Sequence, residues 1–254
     1  MNATLRAGYD RRSLAALAAL ACACAFVLWW WQEAFDFSAN DALLYAIWAA
    51  MAAILCWRVD ARRDVPRVVV GLVGGLVIEA WGTATELWTY SSRERPPLWI
   101  IPAWPVATLA IDRIARAVEP ALPREAGRAT LAALLAFTAW MTWFARPSWT
   151  SPATWLAIVA MLVVASTPRD DRQDLSLLLG GAALGIFLEY WGTSRASWTY
   201  WTHETPPLVA AVAHGFSAVA FQRTISLTER GLGAATRLAR AQLAARAIAR
   251  STST

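Results

Sequence analysis

Residues 71–98 read GLVGGLVIEAWGTATELWTYSSRERPPL, and residues 181–208 read GAALGIFLEYWGTSRASWTYWTHETPPL. The two stretches align without a gap at a constant offset of 110, with 13 of 28 positions identical. Their shared frame is Gly-x3-Gly-x3-Glu-x-Trp-Gly-Thr-x4-Trp-Thr-Tyr-x3-Glu-x-Pro-Pro-Leu. Its landmarks are Gly71, Gly75, Glu79, Trp81, Gly82, Thr83, Trp88, Thr89, Tyr90 and Pro96–Pro97, each with a partner 110 residues later. An ungapped match of this length is an internal duplication.

Working outward, eight apolar segments can be marked, at roughly 13–31, 41–58, 67–90, 97–117, 127–145, 151–167, 174–196 and 206–227. Each is near the ~20 residues a bilayer requires. The last four follow the first four by about 110 residues, so the duplicated unit is read as four helices. The expected fold is an all-α membrane protein of about eight transmembrane helices in two parallel four-helix repeats, 1–122 and 123–228. A basic amphipathic cytoplasmic tail, 229–254, follows. An even number of helices per repeat gives both halves one orientation and a pseudo-two-fold along the membrane normal.

Composition agrees with this class. The chain is 57% hydrophobic and 16% charged, too apolar for an ordinary soluble domain. All 23 basic residues are Arg. Nineteen of them fall in the N-terminus, the segments 58–67, 113–128 and 168–173, and the region from Arg223 onward; the four others are Arg93, Arg95, Arg146 and Arg195. The positive-inside rule then places both termini in the cytoplasm of a multi-pass protein, in a cell inner membrane. The net charge of +5 is explained by this topology, and no nucleic-acid partner is expected. Arg6, Arg11 and Arg12 ahead of an apolar run resemble a signal peptide, but the run is long enough to span and reads as a retained helix. Cys22, Cys24 and Cys56 lie in apolar runs without metal spacing and read as buried free thiols. The tryptophans at expected outer ends, Trp29–Trp31, Trp88, Trp140, Trp143, Trp149, Trp198 and Trp201, read as an interfacial aromatic belt.

Glu79 lies about 12 residues into the third segment, ~18 Å deep at 1.5 Å per residue, and Glu189 is placed alike in the seventh. An intramembrane acid is by default a functional-site hypothesis. On a continuous helix, Gly71, Gly75, Gly82, Thr83, Glu86 and Tyr90 lie within about 80° of Glu79. Gly181, Gly185, Gly192, Thr193, Ala196 and Tyr200 surround Glu189 in the same way. Trp81, Trp88, Trp191 and Trp198 point away on that geometry. Three readings of the stripe compete. It is a close-packed helix seam; or an acid site, in which a neutral carboxylic acid in apolar surroundings protonates an electron-rich alkene; or the lining of a cleft for an amphiphile or ion. The candidate catalytic residues are Glu79, Glu189, Thr83, Thr193, Tyr90 and Tyr200, with the hydroxyls orienting the acids or holding water.

Other constellations are weaker. His203 and His214 do not form a metal-ligand set, and His214 stands where the first copy has Trp104. Asp112 and Asp41 read as helix-end residues, and Arg169 to Arg172 as a solvated turn. No phosphate loop, dinucleotide fingerprint or Ser-His-Asp arrangement is present, and no cofactor or metal is expected.

Glu79, Gly82, Trp88, Tyr90, Pro97, Pro102 and Trp104 together resemble the integral-membrane carotenoid hydratases of the bisanhydrobacterioruberin type. The duplicated helical architecture resembles the membrane lycopene cyclase domain. The chain departs from the hydratase pattern at Thr83 to Leu87, and the second copy has Ala213-His214-Gly215 in place of Pro-x-Trp. The resemblance implies acid-initiated chemistry on a long polyene end group without a redox cofactor, and a membrane lipid or isoprenoid as ligand. The alternative is a non-enzymatic membrane subunit or a pigment- or lipid-binding scaffold, with a membrane-protein partner or a second copy on its tryptophan-rich face.

Overall fold

The computed structural model describes residues 8–30, 39–123, 127–167 and 170–251. They form α1 (Arg11–Trp30), α2 (Ala39–Cys56), α3 (Ala61–Ala84), β1 (Trp88–Tyr90), α4 (Ala103–Val118), α5 (Gly127–Phe144), α6 (Pro152–Ser166), α7 (Asp171–Ser194), β2 (Trp198–Tyr200) and α8 (Leu208–Ser251). Among the described residues, three helices are long and apolar enough to cross a membrane: α3, α7 and, within α8, Leu208–Arg237. The α3 surface away from the glycines carries exposed Val65, Val69, Leu72, Val73, Leu76 and Val77. Side chains of this kind are stable in lipid and costly in water.

Helices α3, α4, α7 and α8 make up the centre. The α7–α8 pair is the most extensive contact, and α4 packs against both α3 and α7. Small residues set these spacings. A Cβ at Gly181 or Gly215 would run into the backbone of the facing helix, at Gly215 and Leu178 respectively, so α7 and α8 meet backbone to backbone. A Cβ at Gly75 would overlap Trp104 of α4 instead, so an indole fills the corresponding α3–α4 seam.

Helices α3 and α7 start alike and end alike. Asp60 and Asp170 cap their N-termini, accepting from the N–H of Arg62 at 3.0 Å and of Gln173 at 3.2 Å. Both end in a Schellman-type motif: Leu87 N–H donates to Gly82 C=O at 2.9 Å, and Ser197 N–H to Gly192 C=O at 3.0 Å. The left-handed residue is not glycine in either case; it is Glu86 (φ 58°) or Ala196 (φ 52°). This corrects the expected helix through Tyr90. The chain stops at Ala84, reverses, and returns as a three-residue strand. The apolar run gave no warning, because the usual C′ glycine is missing.

The two strands pair antiparallel, Trp88 with Tyr200, Thr89 with Thr199 and Tyr90 with Trp198. The ladder continues symmetrically: Ser91 N–H donates to Ser197 C=O and Trp201 N–H to Leu87 C=O. A local two-fold therefore passes through the Thr89–Thr199 pair. Both strands lead to cis X-Pro bonds, Arg95–Pro96 and Thr205–Pro206.

Three further expectations change. Cys56 is buried, but Cys22 and Cys24 are exposed on the apolar α1. Helix α8 runs past Thr228 without a break, so the basic tail begins inside the same helix; the side chains from Leu238 onward lie outside those described, as do Arg6, Trp31 and the side chain of Asp41. Asp112 is not a simple helix-end residue. It is buried among four arginines, described below.

Candidate functional site: twinned glutamates

Glu79 and Glu189 occupy the last turns of α3 and α7. Each is 18 residues from the helix start and 5 from its end, so roughly 27 Å from one end and 7 Å from the other at 1.5 Å per residue. The glutamates therefore stand further along their helices than the 12 residues expected, because both helices begin earlier and end earlier than the apolar runs suggested. Both carboxyl groups are buried.

The returning strand delivers the partners. Trp88 Nε1–H donates to Glu79 Oε2 at 3.0 Å, and Tyr90 O–H donates to the same oxygen at 2.8 Å. Trp198 and Tyr200 do the same to Glu189 Oε2, both at 2.9 Å. The expectation that Trp88 and Trp198 turn away from the glutamates is therefore wrong. It treated them as helical; after the reversal at Glu86 and Ala196 their rings fold back over the helix end. The fit depends on glycine: a Cβ at Gly82 or Gly192 would overlap the Trp88 or Trp198 ring. Glu86 itself does not join the site; it pairs with Arg95 on the surface at 2.8 Å.

Thr83 and Thr193 are buried beside the glutamates but do not touch the carboxyls. Each hydroxyl donates to the backbone carbonyl of its glutamate, at 2.6 Å in both halves. Tyr90 and Tyr200 are the site hydroxyls that meet the acids. Burial, then the adjacent glutamate, push both phenols well above the ordinary tyrosine range, which keeps them as O–H donors. The two centres interlock across the strand pair. Trp88 lies 5.9 Å from Tyr200 and Tyr90 lies 6.0 Å from Trp198, centroid to centroid.

The halves diverge at one position that meets the acid. Trp104 Nε1–H donates to Glu79 Oε1 at 3.0 Å, so three donors converge on Glu79. Its counterpart, His214, places Nδ1 3.9 Å from Glu189 Oε1 and 3.2 Å from Ala210 C=O. The two rings stack almost parallel, at 7° and 5.7 Å, between the glutamates. The sequence signal was their shared repeat position, with Trp104 read as part of the hydratase resemblance and His214 set aside as a histidine without a metal-ligand set.

A cavity of about 340 Å³ adjoins the first centre, lined by Thr83, Trp88, Tyr90, Arg93, Arg95 and, from the other half, Thr199, among others. Its lining is mixed polar and aromatic. Among the described residues no group of three or more His, Cys, Asp and Glu could hold a metal ion.

Comparison with protein-family models, with curated proteins and with solved structures finds no match to this chain.

Proposed function

We propose that this protein is an integral-membrane enzyme that protonates, and adds water to, an alkene of a membrane-dissolved isoprenoid at the Glu79/Glu189 centre. The surrounding architecture in this proposal is eight membrane-crossing helices in two parallel four-helix repeats, with both termini on the arginine-rich cytoplasmic side. The observation that carries the reading is the divergence at Trp104 and His214. A purely structural clasp has no need to differ between halves. Here one carboxyl is held by three fixed donors, and the other faces an imidazole, which has a donor and an acceptor nitrogen where the first half has only the indole donor.

The roles follow from that difference. Glu189 gives its proton to the alkene carbon, the C=C π pair forms the new C–H bond, and a carbocation remains on the neighbouring carbon. Glu79, fixed by its three donors, presents its carboxyl oxygens toward that developing charge. Water from the polar cavity adds to the cation, and its proton returns to Glu189 through His214. The polar lining beside Tyr90 favours hydration over cyclisation, since a cavity of about 340 Å³ has room for several waters at ~30 Å³ each.

The experiment is mass spectrometry of lipid extracts from cells carrying wild type, Glu189→Gln or Glu79→Gln. Wild-type cells should contain a polyene heavier by one water than the species that accumulates in Glu189→Gln cells. Identical extracts from all three would overturn the reading. A second reading, a non-enzymatic scaffold, is favoured by one observation: the strand side chains Trp88, Tyr90, Trp198 and Tyr200 all place their polar hydrogens on the two carboxyls. It expects unchanged extracts and a large loss of thermal stability in the same variants.

A further inference from the structure

The glutamate centre lies at one end of the long helices; the other end of the first half holds a charge imbalance. Asp112 accepts from Arg63 at 2.9 Å and Arg67 at 2.9 Å through Oδ1. Through Oδ2 it meets Arg113 at 2.9 Å and Arg116 at 3.0 Å. Arg113 also holds Asp64 at 2.6 Å. Four guanidinium groups thus share two carboxylates. Arg67, Arg113 and Asp112 are buried, while the side chains of Arg116 and Arg63 are 14% and 34% exposed. At the rim, Arg58 and Arg62 are exposed together with Asp60, and the Arg58 guanidinium lies 4.6 Å over the Trp57 ring.

The second half is an internal control. Asp174 and Arg223 stand where the first half has Asp64 and Arg113, and they pair one to one at 2.8 Å. Gln173, Leu177, Gln222 and Ser226 stand where the first half has Arg63, Arg67, Asp112 and Arg116. Gln222 donates to Ser226 at 3.2 Å, and its Oε1 accepts from Arg67 of the first half.

Uncompensated charge withdrawn from water is strongly unfavourable, and an anion is its natural complement. Arg63 gives Nε and Nη2 to Asp112, and Arg116 reaches only the Arg58 carbonyl with Nη1 and Nη2, at 3.5 Å. These two partly exposed forks suit phosphate oxygens. Their height suits a lipid. Helix α3 is 24 residues, about 36 Å at 1.5 Å per residue, so its first turn reaches the headgroup layer outside a ~30 Å hydrocarbon core. We propose that Arg63 and Arg116, backed by Arg67 and Arg113 and rimmed by Arg58, bind the phosphate of one anionic phospholipid headgroup. The site is independent of the chemistry at the glutamates.

The test uses the full chain purified in a neutral detergent. Dioleoyl phosphatidylglycerol, dioleoyl phosphatidylcholine and inorganic phosphate are added in turn. Retained lipid is counted by native mass spectrometry and Tm is measured in parallel. The variant Arg63→Gln/Arg116→Ser installs the residues that the second half uses; Arg230→Gln, exposed on α8, is the control. Wild type and the control should hold one more phosphatidylglycerol than the double variant, and their Tm should rise with that lipid alone. Equal retention by the double variant would overturn the site. An equal rise with phosphatidylcholine, measured on wild type and so independent of whether the variant folds, would also overturn it. An equal rise with inorganic phosphate would overturn the lipid as the source.

Discussion

At the scale of single residues, the glutamates are defined by what donates to them. Tyr90→Phe or Trp88→Phe leaves a buried carboxyl short of one donor, and each should lower stability by about 1–3 kcal/mol. Thr83→Val should cost less than about 1 kcal/mol, because the Thr83 hydroxyl bonds only the i−4 backbone carbonyl of its own helix, and such back-bonding adds no stability to a helix. Thermal unfolding in detergent orders the three. A Thr83→Val loss equal to that of Tyr90→Phe would mean the threonine holds more than its own turn. Both glutamates were visible in sequence as intramembrane acids repeated at one offset. Their ligands were not, because Trp88 and Tyr90 are 9 and 11 residues away and only the chain reversal brings them back.

At the scale of elements, the helix-to-strand reversal is the feature on which the site depends. Gly82→Ala places a methyl where the Trp88 ring sits and should destabilise by about 1–3 kcal/mol through overpacking. It should also shift Trp88 fluorescence as the indole leaves Glu79. Gly231→Ala, where a Cβ meets nothing within 4 Å, should instead stabilise α8 by up to about 1 kcal/mol, since alanine is the better helix former. If both changes were neutral in chemical denaturation, close packing at Gly82 would be refuted. The small-residue stripe Gly71, Gly75, Glu79, Gly82 and Thr83 is the buried face of α3. Period alone showed this, since a face spaced by three and four residues is read without knowing its partner.

At the scale of the whole molecule, paired charges join the elements far from the glutamates. Asp64→Asn and Asp174→Asn each strip a buried arginine of its carboxylate. For a buried pair the loss is about 3–5 kcal/mol. The Asp64→Asn loss should be the smaller, because Arg113 keeps Asp112 as a second partner while Arg223 falls back on the Val164 carbonyl and Thr167. Orientation is tested separately. In a background lacking the native cysteines, Ser92→Cys should react with a membrane-impermeant maleimide on intact cells and Arg128→Cys only after permeabilisation. The reverse pattern would invert the topology expected from arginine placement.

Some of this protein was determined by sequence alone. Apolar run length and arginine placement are properties of local composition, and they point to a helical membrane protein. A fixed offset of 110 is likewise readable without coordinates, and it marked Glu79, Glu189, Tyr90 and Tyr200. Tertiary structure decided the rest. Glu86 and Ala196 end their helices without the glycine that normally announces such an ending, so the strand pair had no local signature. Trp88, Trp104 and His214 reach the acids only because backbone reversal and the α3–α4 and α7–α8 seams bring them there. The Asp112 cluster joins residues 45 to 49 positions apart, and neither composition nor period records which distant charges will meet.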